Sequence, residues 1–136
     1  MAASYKTSRR VEFSDTDAAG IMHFSKFFDY MEQTEHEWLR QLGLSVMTDG
    51  PEGRISWPRV HASCDFQTAV RFEDKVQIEI QVDRLGKTSV TYRVRFWQDD
   101  CQIAEGKLTA VCCRLSEDVP PQPIAIPDEF TQKLSA

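Results

Sequence analysis

Residues 14–44 read SDTDAAGIMHFSKFFDYMEQTEHEWLRQLGL, and the spacing of apolar side chains in this stretch decides the architecture. Phe24, Phe27, Phe28, Met31, Trp38, Leu39 and Leu42 recur at separations of three, four and seven, which places them on one stripe of a helix. The opposite face carries Lys26, Asp29, Gln33, Glu37, Arg40 and Gln41. Ser25 suits the amino-terminal cap, and Gly43 stands where a C′ glycine ends a helix. The spacing therefore predicts one helix from Phe24 to Leu42, about five turns long at roughly 3.6 residues per turn.

Outside this helix the chain reads as strand. Tyr5–Phe13 forms a first strand, and a loop containing Asp49, Gly50, Pro51 and Gly53 follows the helix. Trp57–Val70 is a long extended stretch. Val76, Ile78, Ile80 and Val82 alternate with polar residues, as do Val90, Tyr92, Val94 and Phe96. The turns Arg84–Lys87 and Asp99–Asp100 separate them, and Ile103–Leu115 supplies a fifth strand. A proline-rich tail, residues 117–136, closes on a short helix at Asp128–Leu134. The expectation is a single α+β domain, residues 1–136, in which a curved antiparallel sheet of about five strands wraps around one long central helix. Edge strands of such a sheet have to be paired or protected, so a homo-oligomer is expected.

Composition bounds the function. The chain has 136 residues, 41% hydrophobic and 27% charged, as in a folded globular protein. Sixteen basic against twenty-one acidic residues give a net charge of −5, which argues against nucleic acid as a partner. No apolar run is long enough to span a bilayer, and the polar, basic start predicts no secretory signal. Cys64, Cys101, Cys112 and Cys113 form no C-x-x-C pair, so reduced thiols in a cytoplasmic protein without a metal site are expected.

Four places carry possible chemistry. Asp15 and Asp17 precede Gly20 and the helix start. A carboxylate there caps a turn or helix, or it serves as nucleophile or base beside amides that hold an oxyanion. Glu35 falls inside the apolar stripe and needs a partner, either a structural one or one in a reactive pocket. Among the histidines, His23 lies near Asp17 in sequence, whereas His36 lies toward the polar face. The run Gly86-Lys87-Thr88-Ser89 is either an ordinary hairpin turn or a phosphate-holding turn.

The run Val11-Glu12-Phe13-Ser14-Asp15-Thr16-Asp17-Ala18-Ala19-Gly20-Ile21-Met22-His23-Phe24, followed by a long aromatic helix, resembles the hot-dog-fold thioesterases. It is most similar to the 4-hydroxybenzoyl-CoA thioesterase family, which includes small bacterial Tol-Pal-associated acyl-CoA thioesterases. The likeness extends over roughly Tyr5–Leu115. It implies hydrolysis of an acyl-CoA to a carboxylic acid and CoA, with no metal or other cofactor, CoA being part of the substrate. Asp17 matches the catalytic carboxylate, and the backbone amide of Phe24 matches the oxyanion donor. Gly20 matches the residue that lets the chain pass the ligand. Lys87, Thr88 and Ser89 match the segment that binds the nucleotide end of CoA. His23 and Glu35 are further pocket candidates, and Thr34 with Glu35 departs from the aromatic-substrate members. The resemblance also implies sites between protomers of a dimer, with dimers pairing into a homotetramer. The same fold serves elsewhere as a non-catalytic module binding acyl-CoA or an acyl carrier, or as a hydratase. The latter needs a His–acid pair that this sequence does not supply.

Overall fold

The computed structural model describes residues 3–50 and 53–136. The elements run β1 (Ser4–Arg10), a 3₁₀ turn (Phe13–Asp15), α1 (Phe24–Gln41), β2 (Thr48–Gly50), β3 (Gly53–Ser56), β4 (Arg59–Phe66), β5 (Lys75–Leu85), β6 (Ser89–Gln98), β7 (Cys101–Val111), β8 (Cys113–Ser116), β9 (Val119–Pro123) and α2 (Asp128–Ser135). The main sheet has five antiparallel strands in the order β1-β5-β6-β7-β4, and a second sheet runs β2-β3-β8-β9. The α+β expectation of about five strands around one long helix matches the main sheet and α1.

The core sits between α1 and the inner face of the main sheet. Val76, Ile78 and Ile80 of β5, Val90, Tyr92, Val94 and Phe96 of β6, and Leu108 and Ala110 of β7 are buried. They meet Phe27, Tyr30, Met31, Trp38 and Leu39 of the helix. Each such side chain contributes about 1.5–3 kcal/mol by leaving water. Gly106 of β7 allows the close approach, because a Cβ there would stand 2.1 Å from Met31 Cε and 2.7 Å from the Ser63 carbonyl. Gly106→Ala is therefore expected to lower stability by about 1–3 kcal/mol through overpacking. Urea unfolding checks this, and an unchanged midpoint would contradict it.

The helix ends as the sequence predicts. Gly43 has φ +75°, its N–H donates to Arg40 O at 3.0 Å, and Leu44 N–H donates to Leu39 O at 2.7 Å. This is a Schellman ending with Leu44 buried beneath it. At the other end the cap is His23, whose Nδ1 accepts from Ser25 N–H, and not Ser25 itself.

Several boundaries differ from the sequence reading. The first strand stops at Arg10, because the 3₁₀ turn pulls Phe13 out of line. The stretch Trp57–Val70 is strand only over Arg59–Phe66, and Gln67 and Thr68 N–H both turn onto Ile103 O. The fifth strand divides at Cys112, whose N–H donates to Thr88 O as the chain crosses from one sheet to the other. The loop after the helix is the β2–β3 hairpin, with Pro51 outside the described residues. The proline-rich tail is ordered: β9 lies at a sheet edge, where proline's missing N–H is tolerated, and Phe130 and Leu134 of α2 are buried.

β1 is tied to α1 by a polar cluster. Glu37 accepts from Tyr5 Oη, Thr7 Oγ1 and Arg9 Nη2, each at 2.6 Å. Burial disfavours its charge, but these three donors outweigh burial and bring the carboxyl from an ordinary 4.5 down to about 2. A lowered folded value stabilises the fold above the unfolded pKa and loses that contribution as pH falls toward about 2. Glu37→Gln is therefore expected to flatten the decline in stability between about pH 5 and pH 2. Denaturation midpoints across that range, equally steep in both proteins, would contradict it.

Candidate active site

Asp17 is held by its own loop. Its Oδ1 accepts from Ala19 N–H at 2.8 Å and Ile21 N–H at 3.4 Å, and its carbonyl accepts from Gly20 N–H at 2.9 Å. This is an Asx turn nested in a β-turn, the kind of local bonding that short carboxylates favour. Asp17 N–H donates to Ile21 O, Thr16 bridges Met22, and Ile21 bridges Arg71. Oδ2 of Asp17 accepts nothing among the described residues. Gly20 has φ +80°, and an added Cβ would meet no atom within 4 Å. The backbone turn demands glycine there, not crowding.

The helix start lies against the same cleft. Asp17, Ile21, Met22, Phe24, Phe27, Phe66, Gln67, Thr68, Ala69 and Val70 line a space of about 280 Å³. Phe27 packs edge-to-face on Phe66 at 5.1 Å and on Phe96 at 5.3 Å. Phe24, expected on the buried stripe, is 61% exposed because it begins the helix at the cleft mouth. In the first helical turn, Ser25 N–H goes to His23 Nδ1 and Lys26 N–H to His23 O. The Phe24 amide has no partner among the described residues. Asp17 and Phe24 thus line one cleft at the positive end of a helix, with one carboxylate oxygen and one amide unpartnered among the described residues. This combination can bring a base or nucleophile and an oxyanion donor to one carbonyl.

Asp15 and Asp17 have different surroundings. Asp15 is spent on structure: its Oδ2 accepts from Tyr30 Oη at 2.6 Å and from Glu12 N–H at 3.0 Å. His23 caps the helix and stacks on Phe24 at 4.7 Å, and it does not line the cleft. Glu35 lies elsewhere. It is 2% exposed, and both its oxygens are gripped by Arg59 of β4, Oε2 at 2.9 Å from Nη1 and Oε1 in a still closer contact with Nη2. His36 Nε2 stands 3.7 Å from Glu35, and Glu32 adds a second carboxylate to Arg59 at 3.3 Å. Burial works against the Arg59 charge, but Glu35 and Glu32 outweigh it and raise the guanidinium further. The partner of Glu35 was not identifiable in the sequence, where it lies 24 positions away.

Lys87, Thr88 and Ser89 do not reach Asp17 within one copy. Lys87 O accepts from Ile126 N–H at 2.8 Å and Thr88 O from Cys112 N–H at 2.7 Å, so the turn is pinned while the Lys87 side chain is exposed. Ser89 pairs with Val111 and Arg59 with Ala110, which puts the turn at the Arg59 end of β4. The Asp17 cleft adjoins Phe66, at the opposite end of that strand. At about 3.4 Å per residue the eight residues of β4 separate the two by roughly 24 Å. Among the described residues no cluster of His, Cys, Asp and Glu is arranged to hold a metal ion, and no helix is long and apolar enough to cross a membrane.

Known proteins share this fold. A family model described as the thioesterase superfamily matches residues 19–105. A 1,4-dihydroxy-2-naphthoyl-CoA hydrolase of Synechococcus sp. (strain CC9605) is 34% identical over 109 residues, covering 76% of this chain and 73% of that protein. Among solved structures, a 1,4-dihydroxy-2-naphthoyl-CoA thioesterase from Synechocystis superposes with TM-score 0.87 at 22% identity, covering 97% of this chain and 96% of the other. A gentisyl-coenzyme A thioesterase gives TM-score 0.81 at 26% identity, covering 96% and 99%. The fold is the hot-dog fold, with the long helix against the curved sheet. By the family model's match over residues 19–105, which hold the central helix and strands β4 to β6, and by the identity to these relatives, the chain belongs to the thioesterase superfamily.

Proposed function

We propose that this thioester hydrolase cleaves a hydroxylated aromatic acyl-CoA at a site shared between two copies of the chain. The observation that carries the chemistry is the shared cleft of Asp17 and Phe24, with Asp17 Oδ2 and the Phe24 amide both unpartnered among the described residues. The thioester carbonyl oxygen accepts from the Phe24 amide. Asp17 either attacks the carbonyl carbon, forming an anhydride that water then opens, or takes a proton from the attacking water. In both routes the carbon–sulfur bond breaks and CoA leaves as thiolate. The aryl preference is supported by the names of the relatives and by the aromatic walls Phe24, Phe27 and Phe66.

The edge strand β4 supports the two-copy site. Val60 is 63% and Phe66 49% exposed, and His61, Ala62 and Ser63 are exposed between them. An unpaired edge of this kind is a template for another strand. A two-fold antiparallel pairing of β4 with a second copy sets the Phe66 end of one strand beside the Arg59 end of the other. The Asp17 cleft of one copy then faces the Lys87–Ser89 turn of its partner, which suits the phosphates of CoA. A dimer is the smallest assembly that completes the site, and its place is the cytoplasm.

Two measurements test this reading. Thiol release across a panel of acyl-CoAs is expected to be fastest with hydroxylated aromatic acyl groups. A short- or long-chain aliphatic substrate turned over faster would overturn the aryl assignment, and binding without any release would leave a carrier module. Light scattering is expected to give a multiple of 15.6 kDa, and Val60→Asp with Ala62→Asp to yield monomers without turnover. Active monomers would contradict the shared site.

A further inference from the structure

Two parts of the machinery come from different segments. Asp17 rides on the loop after β1, and the Phe24 amide opens α1. Their relative placement depends on what ties loop to helix, and the Asp15 side chain is one such tie. The Asp15 carboxylate accepts from Tyr30 Oη at 2.6 Å and from Glu12 N–H at 3.0 Å, while its carbonyl accepts from His23 N–H at 2.8 Å. Asp15 is thus bonded at once to the strand exit, to the helix cap and to the second turn of the helix. Tyr30 is 4% exposed, and helical side chains lean toward the amino terminus, which brings its hydroxyl back to the loop. The hydroxyl also lies 3.3 Å from Arg10 O. Burial first, and then the Asp15 bond, push the Tyr30 pKa upward, consistent with a hydroxyl that stays protonated as a donor.

We infer that Asp15 and Tyr30 are positioning residues: their hydrogen bond clamps the Asp17 loop to the helix start and sets the catalytic carboxylate against the oxyanion amide. Neither side chain lines the cleft, so neither touches the reacting atoms. The inference rests on the reading of Asp17 and Phe24 above. It explains why the loop carries two aspartates two residues apart, one turned to the protein and one to the ligand. A misplacement of about 1 Å between reacting groups is enough to lower turnover by roughly 10²-fold, so loosening the clamp acts on kcat before it acts on binding.

The test uses the full chain with an aryl-CoA substrate. Tyr30→Phe, Asp15→Ala, Asp15→Asn and the Tyr30→Phe/Asp15→Ala double variant are assayed well below their melting midpoints, beside Asp17→Asn. Tyr30→Phe is expected to lower kcat about tenfold with KM within about threefold. The double variant is expected to be no slower than Asp15→Ala, because both substitutions remove one bond. Asp15→Asn keeps an acceptor for Tyr30 and is expected to recover most of the rate. Wild-type kcat in Tyr30→Phe, or losses that multiply in the double variant, would overturn the clamp while a dead Asp17→Asn left the reading of the site intact. An active Asp17→Asn would instead remove the reading on which the clamp depends.

Discussion

Asp17→Asn is expected to lower kcat by about 10²-fold or more while the protein stays folded. Asparagine keeps an oxygen for the Ala19 and Ile21 amides, so the turn that holds residue 17 survives. The substitution removes the negative charge and the basicity of the second oxygen, the one that accepts no hydrogen bond among the described residues. A neutral amide neither attacks a thioester nor takes a proton from water. The core is untouched, because Asp17 is half-exposed and, among the described residues, its side chain bonds only within its own loop. KM should move far less than kcat, because the walls of the cleft remain. Steady-state thiol release and a melting curve together check the expectation. Near-normal turnover in a folded Asp17→Asn protein would contradict the role given to this carboxylate. The equivalent change at Asp15, whose carboxylate bonds Tyr30 and Glu12 within the protein, is expected to keep most of the rate.

Arg59→Met is expected to destabilise the fold by about 3–5 kcal/mol, the range for removing one partner of a buried ion pair. Glu35 is 2% exposed and has no other strong cation among the described residues, since His36 stands 3.7 Å away and carries charge only when protonated. Losing Arg59 leaves a buried carboxylate near Tyr92 without its cation. The Arg59 side chain keeps 26% exposure, so solvent access places the effect toward the lower end of that range. Replacing both partners, as in Arg59→Met with Glu35→Leu, is expected to recover most of the loss, because no charge then remains buried. Urea unfolding of both proteins checks the pair. A near-neutral Arg59→Met would contradict the weight given to this ion pair.

The helix was legible because its period is long and ends in a glycine that the Schellman geometry requires. Asp17 became a candidate through the likeness of its D-x-D loop, ahead of Gly20 and the helix, to the thioesterase motif. Less legible were residues whose fate depends on contacts distant in the chain. Tyr30 and Thr34 look too polar for the apolar stripe, yet both are buried, since Tyr30 bonds Asp15 and Thr34 Oγ1 bonds Tyr30 O at 2.7 Å. Phe24 looks apolar enough for the core but opens onto the cleft. The choice between a reactive and a structural Glu35 needed Arg59, which only the docking of β4 beside α1 supplies. Proline-rich residues 119–123 hid a strand because composition alone does not show an edge position. The segments carrying Asp17 and Lys87 are both recognisable, but their separation within one copy appears only when the strand register is laid out.

The claim that one copy supplies Asp17 and its partner the CoA-holding turn is tested most directly by mixing subunits. Asp17→Asn protein and Lys87→Glu protein are each expected to be slow at low substrate, the second by at least about tenfold through lost phosphate contact. Co-refolded in equal amounts, half of the dimers are mixed, and each of these holds one intact site of two. About a quarter of wild-type activity is therefore expected to return. No recovery on mixing, or a Lys87→Glu protein as fast as wild type, would contradict a site built from two copies.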